Sequence, residues 1–214
     1  RPLSRGLGDV YKRQDFEQDF EEGVIPEDWI ATTNSAQGWF ITQDGSSGFW
    51  TVPSHTWYMC SNDDMADDDG SVDYLITPGL NVSGAQMITL NFASYYDGAY
   101  GQTAHIMVST DGVNFTEVGT LDPNPEWVTE TVDLSEYDGV PNLHVVFHSN
   151  DNGAWASGWA VDDVFITFAA REVDRLVHYE LTELGQWALS APKDEVISRF
   201  GGGIPHELKV NLDD

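Results

Sequence analysis

No helical period persists between residues 15 and 168. Short runs of β-forming residues alternate apolar and polar positions there, and Gly, Asn, Asp or Pro interrupts them every few residues. That is the pattern of half-buried strands joined by turns. In residues 87–93, Ile88, Leu90 and Phe92 fall on one face. In residues 104–110, Ile106 and Val108 alternate with His105 and Met107. Asp111-Gly112 then supplies a tight turn, because Gly tolerates positive φ, and residues 115–121 return as the partner strand. Residues 127–134 put Val128, Val132 and Leu134 on one face with Glu130 at its rim, and residues 143–148 and 159–168 read as two further strands. The spacing predicts an all-β, antiparallel sandwich or barrel. Residues 29–72 differ: they are Gly- and Ser-rich and carry Trp39, Phe40, Phe49, Trp50, Trp57 and Tyr58. Long loops pinned by aromatics mark the functional edge of a sandwich.

The ends of the chain have another composition. Residues 1–14 hold Arg1, Arg5, Lys12 and Arg13, four of the nine Lys and Arg, and the next is Arg171. This break predicts a non-native leader over residues 1–14, of the kind an adapter read-through leaves. Beyond residue 168, Val173, Leu176, Val177, Leu181 and Leu184 fit an amphipathic helix, although residues 177–189 also read as a strand. Gly201-Gly202-Gly203 interrupts, and residues 206–212 alternate like a strand. The expected organisation is a leader (1–14), one β-sandwich domain (15–168) and a short, partly helical C-terminal extension (169–214).

The formal net charge is −27, from 36 Asp and Glu against 9 Lys and Arg. Such a surface repels phosphate backbones and anionic lipid heads, so nucleic acid is excluded as a partner and multivalent cations are favoured. No apolar run reaches the length of a membrane span, so membrane insertion is not expected. Cys60 is the single cysteine and has no partner within the chain.

Carboxylates concentrate in one loop: Asp63, Asp64, Asp67, Asp68, Asp69 and Asp73 put six within eleven residues. Left unneutralised they repel one another, whereas calcium, which takes six to eight oxygen ligands, would turn them into a cross-link. The loop is no EF-hand, because setting Gly70 at the sixth position puts Met65 at the first and Ile76 at the twelfth. Asp63, Asp64 and Asp73 are the candidate ligands; Asp67 and Asp68 read as solvated. The competing reading is a solvated acidic loop.

Ordered motifs carry a family resemblance. Phe20-Glu21-Glu22-Gly23 is followed by Pro26 and Trp29. Ser61-Asn62-Asp63-Asp64 precedes Asp73-Tyr74-Leu75-Ile76-Thr77-Pro78 and Leu80-Asn81-Val82-Ser83-Gly84, then Val108-Ser109-Thr110-Asp111-Gly112. His148-Ser149-Asn150-Asp151-Asn152-Gly153 continues to Gly158-Trp159-Ala160-Val161-Asp162-Asp163-Val164. In this order the set resembles the bacterial cleaved-adhesin domain, also called choice-of-anchor J, which is similar in fold to MAM domains. The resemblance implies a jelly-roll β-sandwich in a secreted protein, bound calcium, and a place beside a protease or before a sorting tail. Relatives often carry two cysteines after the Ser-Asn-Asp-Asp element; here Met65-Ala66-Asp67-Asp68-Asp69 fills that loop.

A jelly roll brings its first and last strands together, so Glu21 and Asp162 are expected to meet. Asp162 sits among apolar Trp159, Ala160, Val161, Val164 and Ile166, and no Lys or Arg occurs from residue 14 to residue 170 to offset it. A buried charge needs a partner, and a metal ion supplies one. The candidate metal ligands are therefore Glu21, Asp63, Asp64, Asp73 and Asp162, with calcium as the ion. A carboxylate held by hydrogen bonds at a sheet end is the competing reading.

Catalytic patterns fail on inspection. His206-Glu207 lacks the second His of a zinc-protease helix, and Gly45-Ser46-Ser47-Gly48 is not a nucleophile elbow. His144 and His148 fall on one strand face and read as packing or rim residues. Tyr95, Tyr96, Tyr100 and Trp155 lie in loop-like contexts and are candidate ligand-binding aromatics, with loop-pinning core residues as the competing reading. The functional expectation is a non-catalytic extracellular calcium-binding module for adhesion to a glycan or protein surface. The alternative is an accessory domain that stabilises or targets a neighbouring secreted protease or other hydrolase.

Overall fold

The computed structural model describes residues 11–67 and 69–171. The compact unit they form, Arg13–Ala170, is nearly all β. The strands are β1 Tyr11–Gln18, β2 Ile30–Thr32, β3 Phe40–Thr42, β4 Tyr58–Asn62, β5 Val72–Ile76, β6 Ala85–Tyr96, β7 Thr103–Ser109, β8 Thr116–Thr120, β9 Asn124–Asp133, β10 His144–Asn150 and β11 Gly158–Arg171. One helical turn, α1 Asp63–Ala66, follows β4. A six-stranded sheet has the order β3-β4-β11-β6-β9 with β1 also on β11, and a five-stranded sheet has the order β2-β5-β10-β7-β8. Because consecutive strands pass repeatedly from one sheet to the other, the topology is the expected jelly-roll sandwich.

The alternation explains the packing. Ile88, Leu90 and Phe92 from one sheet meet Ile106, Val108, Val145 and Phe147 from the other, all buried. Phe92, Phe147 and Trp159 pack edge to face, with centroids 5.1–6.3 Å apart. A second apolar cluster lies apart from this core: Trp50, Val52, Tyr58, Cys60, Tyr95 and Ala160, with Phe40 and Trp127 against it. Here the Trp-rich segment before β4 folds over the six-stranded sheet, and Gly158 permits the contact. A Cβ there would clash with the Ser61 carbonyl oxygen and lie 2.6 Å from the Trp50 ring.

Two boundaries bear on the sequence expectations. Strand β1 begins at Tyr11, so residues 11–14 of the anticipated leader lie within it, and it pairs with β11. Residues 1–10 and the C-terminal extension beyond residue 171, including the expected helix and the 206–212 strand, lie outside the described residues.

Candidate functional site

The first and last strands do meet, and a bulge shapes the site between them. Opposite β6, β11 carries one extra residue between Asp162 and Phe165, and Asp163 adopts a left-handed φ of 48°. A regular strand sends consecutive side chains to opposite faces; a bulge re-aims one of them. Fully buried Asp162 and exposed Asp163 thus bring carboxylate oxygens and the His55 imidazole within 4.8 Å of one another. Asp162 Oδ2 lies 3.0 Å from His55 Nε2 and accepts from Thr56 Oγ1 at 3.3 Å, while Oδ1 accepts the Asp163 N–H at 2.7 Å.

Glu21 reaches the same place from the end of β1. The chain turns sharply at Phe20, where φ is 53°, and Gly23 N–H donates to the Phe20 carbonyl at 3.0 Å. Gly23 also needs positive φ, and a Cβ there would crowd the Trp57 ring at 3.1 Å, which accounts for the glycine in Phe20-Glu21-Glu22-Gly23. Glu21 Oε1 accepts the Trp57 N–H at 3.2 Å, one residue from Thr56. Burial, above all, pushes the Asp162 carboxyl up to about 7, and the neighbouring Asp163 and Glu21 charges add to the rise.

The second expected ligand group is arranged differently. Asp63, Asp64 and Asp73 turn to separate partners. Asp63 Oδ2 accepts the Ala156 N–H at 2.7 Å; Asp64 Oδ2 accepts the Phe49 N–H at 3.3 Å; Asp73 Oδ2 accepts from Ser61 Oγ at 2.7 Å. Ser61 Oγ is also hydrogen-bonded to Ser149 Oγ at 3.0 Å, so Asp73 belongs to a buried polar link between the two sheets. The reason is secondary structure: Asp63 and Asp64 lie on α1, whereas Asp73 lies on β5 and points inward. Asp63's carboxylate neighbour is Asp151, which accepts Gly70, Ser71 and Gly153 N–H groups at 2.6–2.8 Å. Burial, with Asp151 beside it, raises the Asp63 carboxyl to about 6. Asp67 is exposed, as expected, and Asp68 lies outside the described residues.

The candidate aromatics divide. Tyr95 and Tyr96 are each 5% exposed; the Tyr95 hydroxyl donates to the Thr51 carbonyl at 2.8 Å and that of Tyr96 to the Gln102 carbonyl at 2.6 Å. They are packing residues, because both continue β6 into its own cover. Tyr100 and Trp155 are 58% and 40% exposed and meet with centroids 6.0 Å apart and planes 20° apart. Phe49, 61% exposed, packs edge to face with Trp155 at a centroid distance of 4.5 Å. His148, read from the sequence as packing or rim, stacks on Tyr74 at 4.5 Å and 5°.

Sequence reasoning missed His55, Asp163, Asp151 and Phe49. His55 is a potential cation that a count of Lys and Arg leaves out. His55 was visible in the sequence; the bulge that brings Asp163 beside Asp162 and His55 was not.

The fold and the strand junction define a jelly-roll β-sandwich module with long aromatic loops and clustered carboxylates. The MAM domain family (meprin/A5/mu) matches residues 15–170, and the chain belongs to that family. The chain is similar to the K2 cleaved adhesin domain of Lys-gingipain, at 24% identity and a TM-score of 0.53 over 72% of this chain and 99% of that one. The K3 domain of Lys-gingipain from Porphyromonas gingivalis W83 is similar at 19% identity and a TM-score of 0.54, over 73% and 99%. Among curated proteins no sequence match was found.

Proposed function

We propose that this domain is a non-catalytic extracellular binding module of adhesive type, tied together by calcium at the junction of its first and last strands. The observation that carries the reading is the convergence of Asp162, Asp163 and His55, with the Glu21 charge acting on Asp162, where no Lys or Arg occurs from residue 14 to residue 170. The donor set fits calcium in its main part: the carboxylates and the Thr56 hydroxyl are hard oxygen ligands. Bound there, the ion would neutralise the buried Asp162 charge and clamp β1 to β11 through Glu21. The cleaved-adhesin likeness supports the adhesive and secreted parts of the reading.

Thermal unfolding with and without calcium tests it. An ion that binds the folded state alone stabilises by RT ln(1 + [Ca]/Kd), about 2.7 kcal/mol at a hundredfold excess over Kd. Chelation should lower Tm by several degrees, and calcium should restore it where sodium at equal ionic strength does not. Identical unfolding in chelator and in calcium would overturn the calcium assignment.

A further inference from the structure

From the exposed rings of Phe49, Tyr100 and Trp155 we infer a binding platform for the apolar face of an uncharged glycan. The inference rests on the reading of the domain as a binding module and names its ligand class. Three loops far apart in sequence supply the rings, and a shared set of contacts fixes them. Asp64 holds the Phe49 N–H, and Asp63 holds the Ala156 N–H beside Trp155. Asp63 N–H donates to the Ser157 carbonyl at 2.9 Å, and Ser157 Oγ donates to Asp97 Oδ1 at 3.1 Å. Asn152 Nδ2 donates to the Gly101 carbonyl at 2.9 Å and to Thr103 Oγ1 at 3.2 Å, tying the Trp155 loop to the Tyr100 loop. Tyr100 itself is held at φ 59° and ψ 17°, a left-handed conformation unusual for a side chain of its size.

Tyr100 and Trp155 form an offset stack yet both stay substantially exposed, so aromatic surface remains open to solvent. An aromatic face is electron-rich and accepts the electropositive C–H groups of a pyranose ring. The loops around the rings carry Asp64, Asp67, Asp69 and Asp97 and no cation, which suits hydroxyl donors and repels an anionic ligand. A protein partner is the poorer match. Three rings set among carboxylates fall short of the charge-depleted apolar centre of a ~1,600 Å² protein interface.

The test is affinity electrophoresis of the whole chain through native gels containing a β-glucan, a galactomannan or dextran, with dextran sulfate as the anionic counterpart. At least one uncharged polysaccharide should retard the protein, and dextran sulfate should not. Trp155→Ala and Tyr100→Ala should each weaken retardation about tenfold or more, while Tyr95→Phe leaves it unchanged. Each variant should keep the wild-type calcium response in Tm, which shows that it folds. No retardation by any uncharged polysaccharide, or full retardation in both alanine variants, overturns the platform. Self-association that Trp155→Ala abolishes, without glycan retardation, assigns the patch to a second copy of this chain instead. Failure of the calcium response with glycan retardation intact would strike the calcium reading and spare the platform.

Discussion

Asp151 and Asp162 are both buried aspartates in a stretch, residues 14–170, that has no Lys or Arg, yet they are accommodated in opposite ways. Asp151 opens a loop, and loop N–H groups are free to turn toward it: Gly70, Ser71 and Gly153 all donate to its carboxylate. Its neighbour Asp63 takes a fourth backbone N–H, from Ala156. Asp162 lies inside β11, where backbone N–H groups are committed to the flanking strands. At that end Glu21 and Asp162 accept one backbone N–H each, from Trp57 and Asp163. The difference teaches that acidic density in sequence does not locate an ion. What matters is whether the local backbone can satisfy the carboxylates, and turns can do so where a strand interior cannot.

The largest expected effect breaks the loop side of this contrast. Asp151→Ala orphans three N–H donors at a buried position. It should destabilise by about 3 kcal/mol, equally in calcium and in chelator, as read by denaturant unfolding. A loss that appears in calcium alone would mean that the loop, too, holds an ion.

Asp162→Asn acts on the other side. It should remove most of the calcium-dependent stabilisation, about 2.7 kcal/mol at a hundredfold excess. In chelator at pH 8 the variant should equal or exceed the wild type, because the amide no longer buries a charge. Differential scanning calorimetry in the two buffers checks both; an unchanged calcium response would move the ion elsewhere.

Much of this was legible from residues, and the remainder fails for identifiable reasons. Alternation along residues 87–93 and 104–110 places their strands, because apolar periodicity two is a local signal. Glu21 and Asp162 meet because the topology closes its first strand on its last. The convergence of Asp63, Asp64 and Asp73 does not occur, since a helical turn and a strand send neighbouring carboxylates to different faces. Tyr95 and Tyr100, five residues apart, look alike in sequence; β6 runs on through Tyr96 and buries the first, while the left-handed turn at Gly98 releases the second.

A smaller effect follows from proton linkage. The folded-state value of Asp162, about 7, lies above its ordinary 3.8, so between these limits the folded protein holds the extra proton. Without calcium that stabilisation is complete below pH 3.8 and is lost as pH rises through 7. Asp63, raised to about 6, adds in the same direction over the lower part of the window. Calcium requires ionised carboxylates, so the calcium-induced rise in Tm should run the other way, small at pH 5 and full at pH 8. A calcium response independent of pH would show that Asp162 is not among the ligands.

The smallest effect separates the two partners available to Asp162. His55 Nε2 is 3.0 Å from Asp162 Oδ2, and its ring lies on Trp127 with centroids 4.1 Å apart. Calcium prefers oxygen, so the ion and the imidazole compete for one carboxylate. His55→Gln removes the imidazole from both neighbours and should lower Tm by ~2–4 °C in chelator. In calcium it should leave the response close to wild type. Were the His55→Gln substitution to abolish the calcium response instead, or zinc to outperform calcium in the wild type, the imidazole would be a ligand and the site a mixed nitrogen–oxygen centre.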